Sequence, residues 1–160
     1  METEGESVTV RDGNTRNFYR LVNGVFVPET GDYSILTKYT DNTYGISSTD
    51  GAKKKFSASG RIISATDING NTLAFAYDAS GNLVSVADIA ARTIAYAYDS
   101  NNRLISIIDP AGKQYSFTYS GNLLAAVTWP DGSSWQYTYD SKGFMMSKTD
   151  PLGTVTIRLR

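Results

Sequence analysis

Four aspartates, Asp67, Asp88, Asp109 and Asp150, stand at one position of a recurring text and are the first candidates for chemistry. Two carboxylates flanking a bond can hydrolyse a glycoside, one as acid and the other as base or nucleophile. The stretch Asp67-Ile68-Asn69-Gly70-Asn71 also looks like the opening of a calcium loop, because hard cations want clustered oxygen ligands. Each idea meets a simpler one. A residue that returns once per repeat serves the folding of each repeat. The calcium loop needs a closing Glu about twelve positions along, where this chain has Asp78 in another turn. No catalytic residue, metal ligand or cofactor site is therefore assigned, and the chain is read as a non-enzyme. It has no His and no Cys. Imidazole bases, thiolate nucleophiles, disulfides and His- or Cys-rich zinc sites are excluded on that ground.

Charge and aromatics carry the remaining candidates. Lys53-Lys54-Lys55 is the only basic run, and it reads as a solvated strand or edge, where Lys discourages edge-to-edge pairing. With 15 Lys+Arg against 16 Asp+Glu, the broad basic field of a nucleic-acid binder is missing. Phosphate cradles of the P-loop or GxGxxG kind are missing too. The 11 tyrosines admit two readings. As exposed rows, rings pack on sugar faces, and Tyr96, Trp129 and Trp135 are then the candidate ligand-facing aromatics of an adhesion or carbohydrate-binding module. As packed rows, Tyr77, Tyr98, Tyr119 and Tyr139 meet across neighbouring hairpins, each pair worth ~0.2–1 kcal/mol. Leu73 and Phe75 share the tyrosines' face, which favours packing.

The elements that must position these residues follow from a repeat. Phe56, Tyr77, Tyr98, Tyr119 and Tyr139 are spaced by 21, 21, 21 and 20 residues. Between them Gly60-Arg-Ile-Ile-Ser-Ala-Thr-Asp67 recurs as Gly81-Asn-Leu-Val-Ser-Val-Ala-Asp88, Asn102-Arg-Leu-Ile-Ser-Ile-Ile-Asp109 and Gly143-Phe-Met-Met-Ser-Lys-Thr-Asp150. A small residue stands three positions after each of these Asp: Gly70, Ala91, Gly112 and Gly153. The segment from Thr72 to Tyr77 alternates apolar and small residues with period two, the strand signature. The partner strand is less clean, with Ile62, Leu83 and Leu104 out of parity, so it is either buried on both faces at its start or bulged.

Turn chemistry closes the hairpins. Asn69-Gly70 and Asp131-Gly132 are hairpin signals, since Gly accepts positive φ and Asn or Asp tolerates it. Tyr77-Asp78-Ala79-Ser80-Gly81 reads as a turn closed by a left-handed Gly, with Asp78, and likewise Asp99 and Asp140, accepting backbone N–H bonds. All acidic residues after Phe56 are Asp, the type that favours turns.

Three regions result: an acidic leader over 1–7, expected to be flexible; an irregular β-meander over 8–55, with turns at Asp12-Gly13, Asn23-Gly24 and Asp50-Gly51; and five β-hairpin repeats over 56–160. No 3.6-residue period persists, so the chain is all-β. Its longest apolar run, Leu123 to Val127, is far below the ~18 residues of a spanning helix, and no membrane insertion is expected.

Tyr77-Asp78-Ala-Ser-Gly81-Asn-Leu83 with Asp88 resembles the YD repeat of the Rhs family. So do Tyr98-Asp99-Ser-Asn-Asn102-Arg-Leu104 with Asp109-Pro110-Ala-Gly112, and Tyr139-Asp140-Ser-Lys-Gly143 with Asp150-Pro151-Leu-Gly153. Leu36 to Phe56 also resembles the stretch that precedes such repeats. The family includes bacterial polymorphic toxins, shell components of insecticidal toxin complexes and the teneurins. The resemblance implies hairpins side by side in one twisted, curved antiparallel sheet, an open fragment from the N-terminal part of a repeat array. In full-length members that sheet closes into a shell around a C-terminal toxin. It further implies secretion or delivery, partners among the neighbouring repeats, an enclosed toxin domain and self-association through exposed sheet edges. The chain departs from the pattern at Tyr119-Ser120-Gly121, where the turn is two residues short, and at Trp129 before Pro130-Asp131-Gly132, where one is added. Asn102 and Ala91 replace Gly, and Ala enters positive φ only at a cost.

Overall fold

A computed structural model describes residues 6–12 and 15–157; the turn expected at Asp12-Gly13 lies partly outside the described residues, as does most of the acidic leader. Every regular element among the described residues is a strand. Strands β1 (Ser7–Asp12), β2 (Thr15–Val22) and β3 (Val25–Pro28) form a three-stranded antiparallel sheet in that order. A 13-stranded antiparallel, open sheet follows in chain order. It runs from β4 (Ile35–Lys38), β5 (Tyr44–Ser47), β6 (Lys53–Phe56), β7 (Ile62–Thr66) and β8 (Thr72–Tyr77) to β9 (Leu83–Asp88), β10 (Thr93–Tyr98) and β11 (Leu104–Ile108). The remaining strands are β12 (Gln114–Ser120), β13 (Leu123–Thr128), β14 (Ser134–Tyr139), β15 (Met145–Thr149) and β16 (Val155–Ile157). The chain divides into two compact units, 1–75 with 88–90, and 76–87 with 91–160.

One turn design recurs through both units. The Asp67 N–H bonds the Asn71 carbonyl at 2.9 Å and the Gly70 N–H bonds back to the Asp67 carbonyl at 3.1 Å. Gly70 has φ +86, the left-handed residue that closes a three-residue hairpin loop. The same pair of bonds closes the turns opened by Asp78, Asp99, Asp109, Asp140 and Asp150. Asn69 and Asp131 are not in positive φ. The signals expected at Asn69-Gly70 and Asp131-Gly132 are thus halves of longer turns that begin at Asp67 and at Trp129, where Gly132 N–H bonds the Trp129 carbonyl. Only Asn23-Gly24, with φ 51 and 82, is a two-residue turn of paired positive φ among the described residues. The shortened connection after Tyr119 is a two-residue turn as well, with Ser120 opposite Leu123 and Gly121 at φ +57.

In the first unit the two sheets bury a core. Leu36 faces Ile46 and Tyr44 faces Phe56 across adjacent strands, so all four share one face of the larger sheet. The three-stranded sheet covers that face. Tyr19, Phe26, Leu36 and Ile46 are buried there, with Val8, Val10, Leu21, Tyr44 and Phe56 packed around them. Tyr19 is fully enclosed, and its hydroxyl is satisfied by Ser34 Oγ at 2.6 Å. Ser34 in turn donates to Asp32 at 2.6 Å. Bonds from Asn17 first and Ser34 second hold the Asp32 pKa below its ordinary value, while burial raises that of Tyr19.

Three expectations change here. Ser7 opens β1, and Glu6 pairs with Lys38 at 2.8 Å, so the structured chain begins inside the leader expected over 1–7. The stretch 35–55 joins the repeats' own sheet as β4, β5 and β6. Lys53-Lys54-Lys55 lies in β6, between β5 and β7, and guards no edge. Instead the Lys55 ammonium sits 5.3 Å from the Tyr39 ring centre, a cation–π contact.

Among the described residues the second unit has no covering layer. One face carries Tyr96, Ile107 and Tyr115 in one cross-strand row and Phe117, Val127 and Trp135 in another. The opposite face carries Ala97, Ser106 and Ser116, continued by Thr128 and Ser134. Among the described residues of this unit only Ser106 is buried.

Candidate functional site

The candidate site is the seam between successive hairpins of the second unit, because there the residues singled out by the repeat touch their neighbours. The partner strands are bulged, one of the two alternatives their broken parity allowed. Tyr98 pairs with Leu104 and Ala97 with Ser106, so Ile105 is the extra residue. The same skip falls on Ile63, Ala125 and Met146. A bulge interrupts the ladder locally. At this interruption the next hairpin intervenes: the Tyr119 hydroxyl donates to the Leu104 carbonyl at 2.7 Å. The Tyr98 hydroxyl makes the equivalent bond to the Leu83 carbonyl at 2.9 Å. Both tyrosines reach back 15 residues. The rings are half-buried rather than core, and burial, then the neighbouring Tyr96 and Asp78 charges, raise the Tyr98 pKa.

A second tie runs through the residue after the left-handed position in two successive turns. Asn82 Nδ2 bonds its own turn's Asp78 at 3.0 Å and Asn102 of the next turn at 2.9 Å. Arg103 occupies the corresponding place. Its Nε bonds Asp99 at 2.7 Å, its guanidinium stacks 4.5 Å from the Tyr119 ring centre, and it donates to the Gly121 carbonyl. These partners hold the Asp78 and Asp99 pKa values below the ordinary range, Asn82 acting first on one and Arg103 first on the other.

Every recurring aspartate is engaged by its own turn. Asp67 accepts from Asn69 and Asn71, Asp109 from Ala111 and Lys113, Asp140 from Lys142 and Phe144, Asp150 from Leu152 and Thr154, and Asp88 from Ala90. Gly60, Gly70, Gly81, Gly112, Gly132, Gly143 and Gly153 take positive φ, as do Ala91 and Asn102. No group of three acidic side chains is placed to hold a metal among the described residues. Phe56 belongs to the first unit's core. Tyr96 is half-buried opposite Ile107, Trp129 opens a turn, and Trp135 carries the Lys148 ammonium 3.7 Å from its ring centre. That Trp face is occupied by the chain's own cation.

Asn82, Arg103, Lys148 and Ser106 were not singled out by sequence reasoning. The first two carried a legible signal, since both follow the left-handed residue of a turn opened by Asp. Lys148 did not: it faces Tyr137 and reaches Trp135 diagonally, a register set by the bulge at Met146.

The family model of the teneurin YD-shell matches residues 53–157. Among solved structures, a crystal structure of TcdB2-TccC3-Cdc42 superposes with a TM-score of 0.53 at 18% identity, covering 84% of this chain and 7% of that chain. The Photorhabdus luminescens Tc holotoxin pore superposes with a TM-score of 0.52 at 18% identity, again over 84% and 7%. Such identities speak for the fold alone, and the chain spans a small fraction of those proteins' length. No match is found among curated proteins.

Proposed function

The chain belongs to the teneurin YD-shell family, and on that premise we propose that it is a non-enzymatic segment of a secreted or delivered shell whose hairpins wall in a C-terminal toxin. A structural shell role is what the family match supports. The observation that carries the reading further is the seam: Tyr98 and Tyr119 each close a carbonyl of the preceding hairpin, so two successive hairpins are each completed by the next. A hairpin of this length does not bury its own face, and stability then accumulates by neighbour contacts. The recurring residues, from Phe56 and Gly60 to Asp150 and Gly153, serve that assembly. The partners are the adjoining repeats and an enclosed guest domain. Outside its array the sheet pairs through the outermost strands of the described sheet, β4 and β16.

The natural polypeptide that carries this segment supplies the test. A photocrosslinking residue placed at Tyr137, on the aromatic face, or at Gln136, on the other, should capture the downstream domain from one face only. Capture from both, or from neither, overturns encapsulation. Capture nowhere with the fold retained leaves a wall that encloses nothing.

A further inference from the structure

Strand β1 is an edge of the three-stranded sheet, and its outer side lines a cleft of about 380 Å³ floored by Tyr44 and Phe56 and rimmed by Ala58, Ser59 and Gly60. The hydrogen-bond phase of β1 is fixed by one contact. The Leu21 N–H donates to the Glu6 carbonyl at 2.8 Å, and Ser7 stands opposite Arg20. Glu6–Leu21 is therefore a bonded pair, and bonded pairs alternate along an antiparallel ladder. Val8 and Val10 turn their backbone groups to β2 and their side chains to the core. Ser7, Thr9 and Arg11 turn theirs outward into the cleft, with no backbone partner there among the described residues.

Charge decides what fits. On the exposed face of this sheet Arg11 stands directly opposite Arg16, and Arg20 opposite Ser7. No carboxylate pairs with any of the three arginines among the described residues. Like charges directly opposite destabilise a sheet, and a carboxylate laid beside them relieves it.

We propose that the free edge of β1 receives an extended acidic segment of another polypeptide by strand addition. Main-chain bonds form to Ser7, Thr9 and Arg11, alternate apolar side chains fill the cleft over Tyr44 and Phe56, and the intervening carboxylates meet Arg11 and Arg16. This goes beyond the shell reading and does not rest on it. A second copy is disfavoured because edge pairing of two β1 strands gathers six arginines on one face.

The probe is a capped hexapeptide of alternating Val and Glu, followed by fluorescence anisotropy and by amide exchange on the whole chain. It should bind, slow exchange at Ser7, Thr9 and Arg11, and weaken with salt. Arg11→Glu should reduce affinity about tenfold. Thr9→Pro should abolish binding without unfolding the protein, since Pro is tolerated where an edge N–H faces outward. The peptide N-methylated at alternate residues should fail to bind, a control that needs no protein variant. Equal binding of the Val/Lys peptide, binding by the N-methylated form, or none by the Val/Glu form overturns the proposal. So does concentration-dependent protection of the same amides without peptide, which assigns the edge to a second copy.

Discussion

The two units present the same kind of face to different fates. In the first, the face bearing Leu36, Ile46, Tyr44 and Phe56 is covered by β1, β2 and β3; Leu36 and Ile46 are buried there, with Tyr44 and Phe56 partly buried around them. In the second, the face bearing Tyr96, Phe117, Trp135 and Tyr137 has no second layer among the described residues, and its rings stay half-buried. The difference teaches where stability resides. A covered face gains from apolar burial, at about 25 cal/mol per Å². An open wall depends on lateral ties: cross-strand pairs, tyrosine-to-carbonyl bonds and capped turns. The first unit therefore stands on its own core, while the second depends on the length of the array.

The largest expected effect breaks the covered side. Tyr19→Ala removes the most enclosed ring of the core and should cost ~3–5 kcal/mol, as large aromatic truncations do. Denaturant unfolding monitored by amide exchange reads this, with protection lost first in residues 6–56. Loss confined to the repeats would mean that the two layers do not stabilise one another. Tyr98→Ala should cost less, about 2–3 kcal/mol, because its ring is only half-buried. Tyr98→Phe isolates the bond to the Leu83 carbonyl and should cost about 1 kcal/mol. If Phe is as harmful as Ala, the hydroxyl and not the ring ties the hairpins.

Acid sharpens the comparison without mutation. Hydrogen bonds from Asn82 hold Asp78, and bonds from Arg103 hold Asp99, below the ordinary carboxylate value of 3.8. A depressed folded pKa contributes stability that is present above the unfolded value and lost as pH falls through the folded one. Below about pH 4 the repeats should therefore loosen progressively. Asp32 and Asp41 of the first unit titrate in the same direction, but its apolar core does not titrate. Amide exchange across the acid range should show the second unit opening first, and simultaneous opening would remove the distinction between wall and core.

Much of this was legible in the sequence because it is local. The spacing of Phe56, Tyr77, Tyr98, Tyr119 and Tyr139 located the hairpins, and the preference of Asp for turns located the carboxylates. Alternation also assigned Leu73, Phe75 and Tyr77 to one face and Ala74 and Ala76 to the other. It did not say what lies on each face, because period two reports side-chain direction and not the presence of a second layer. Leu73, taken as a sign of packing, is exposed for that reason. The β6 lysines lie in a strand, one of the two placements read for them, but guard no edge, because strand order and not composition decides which strand is an edge. Arg103 bonding to Gly121 and Lys148 stacking on Trp135 depend on register between hairpins, which the bulges at Ile105 and Met146 reset.

The smallest effect tests whether the second unit is tuned by its turns. Ala91 holds φ +60, a left-handed conformation, where sister repeats place Gly70, Gly112 and Gly153. That conformation costs an L-residue ~1–2 kcal/mol, whereas Gly enters it freely and gives back ~0.4–1 kcal/mol through greater freedom in the unfolded chain. Ala91→Gly should thus raise stability by about 0.5–1 kcal/mol. Asn102→Gly, at φ +59, should change it by less, since Asn already tolerates positive φ. Urea midpoints of the two variants measure the contrast. An equal gain at both positions would show that side-chain ties such as Asn82 to Asn102 contribute nothing, and that the wall is held by backbone geometry alone.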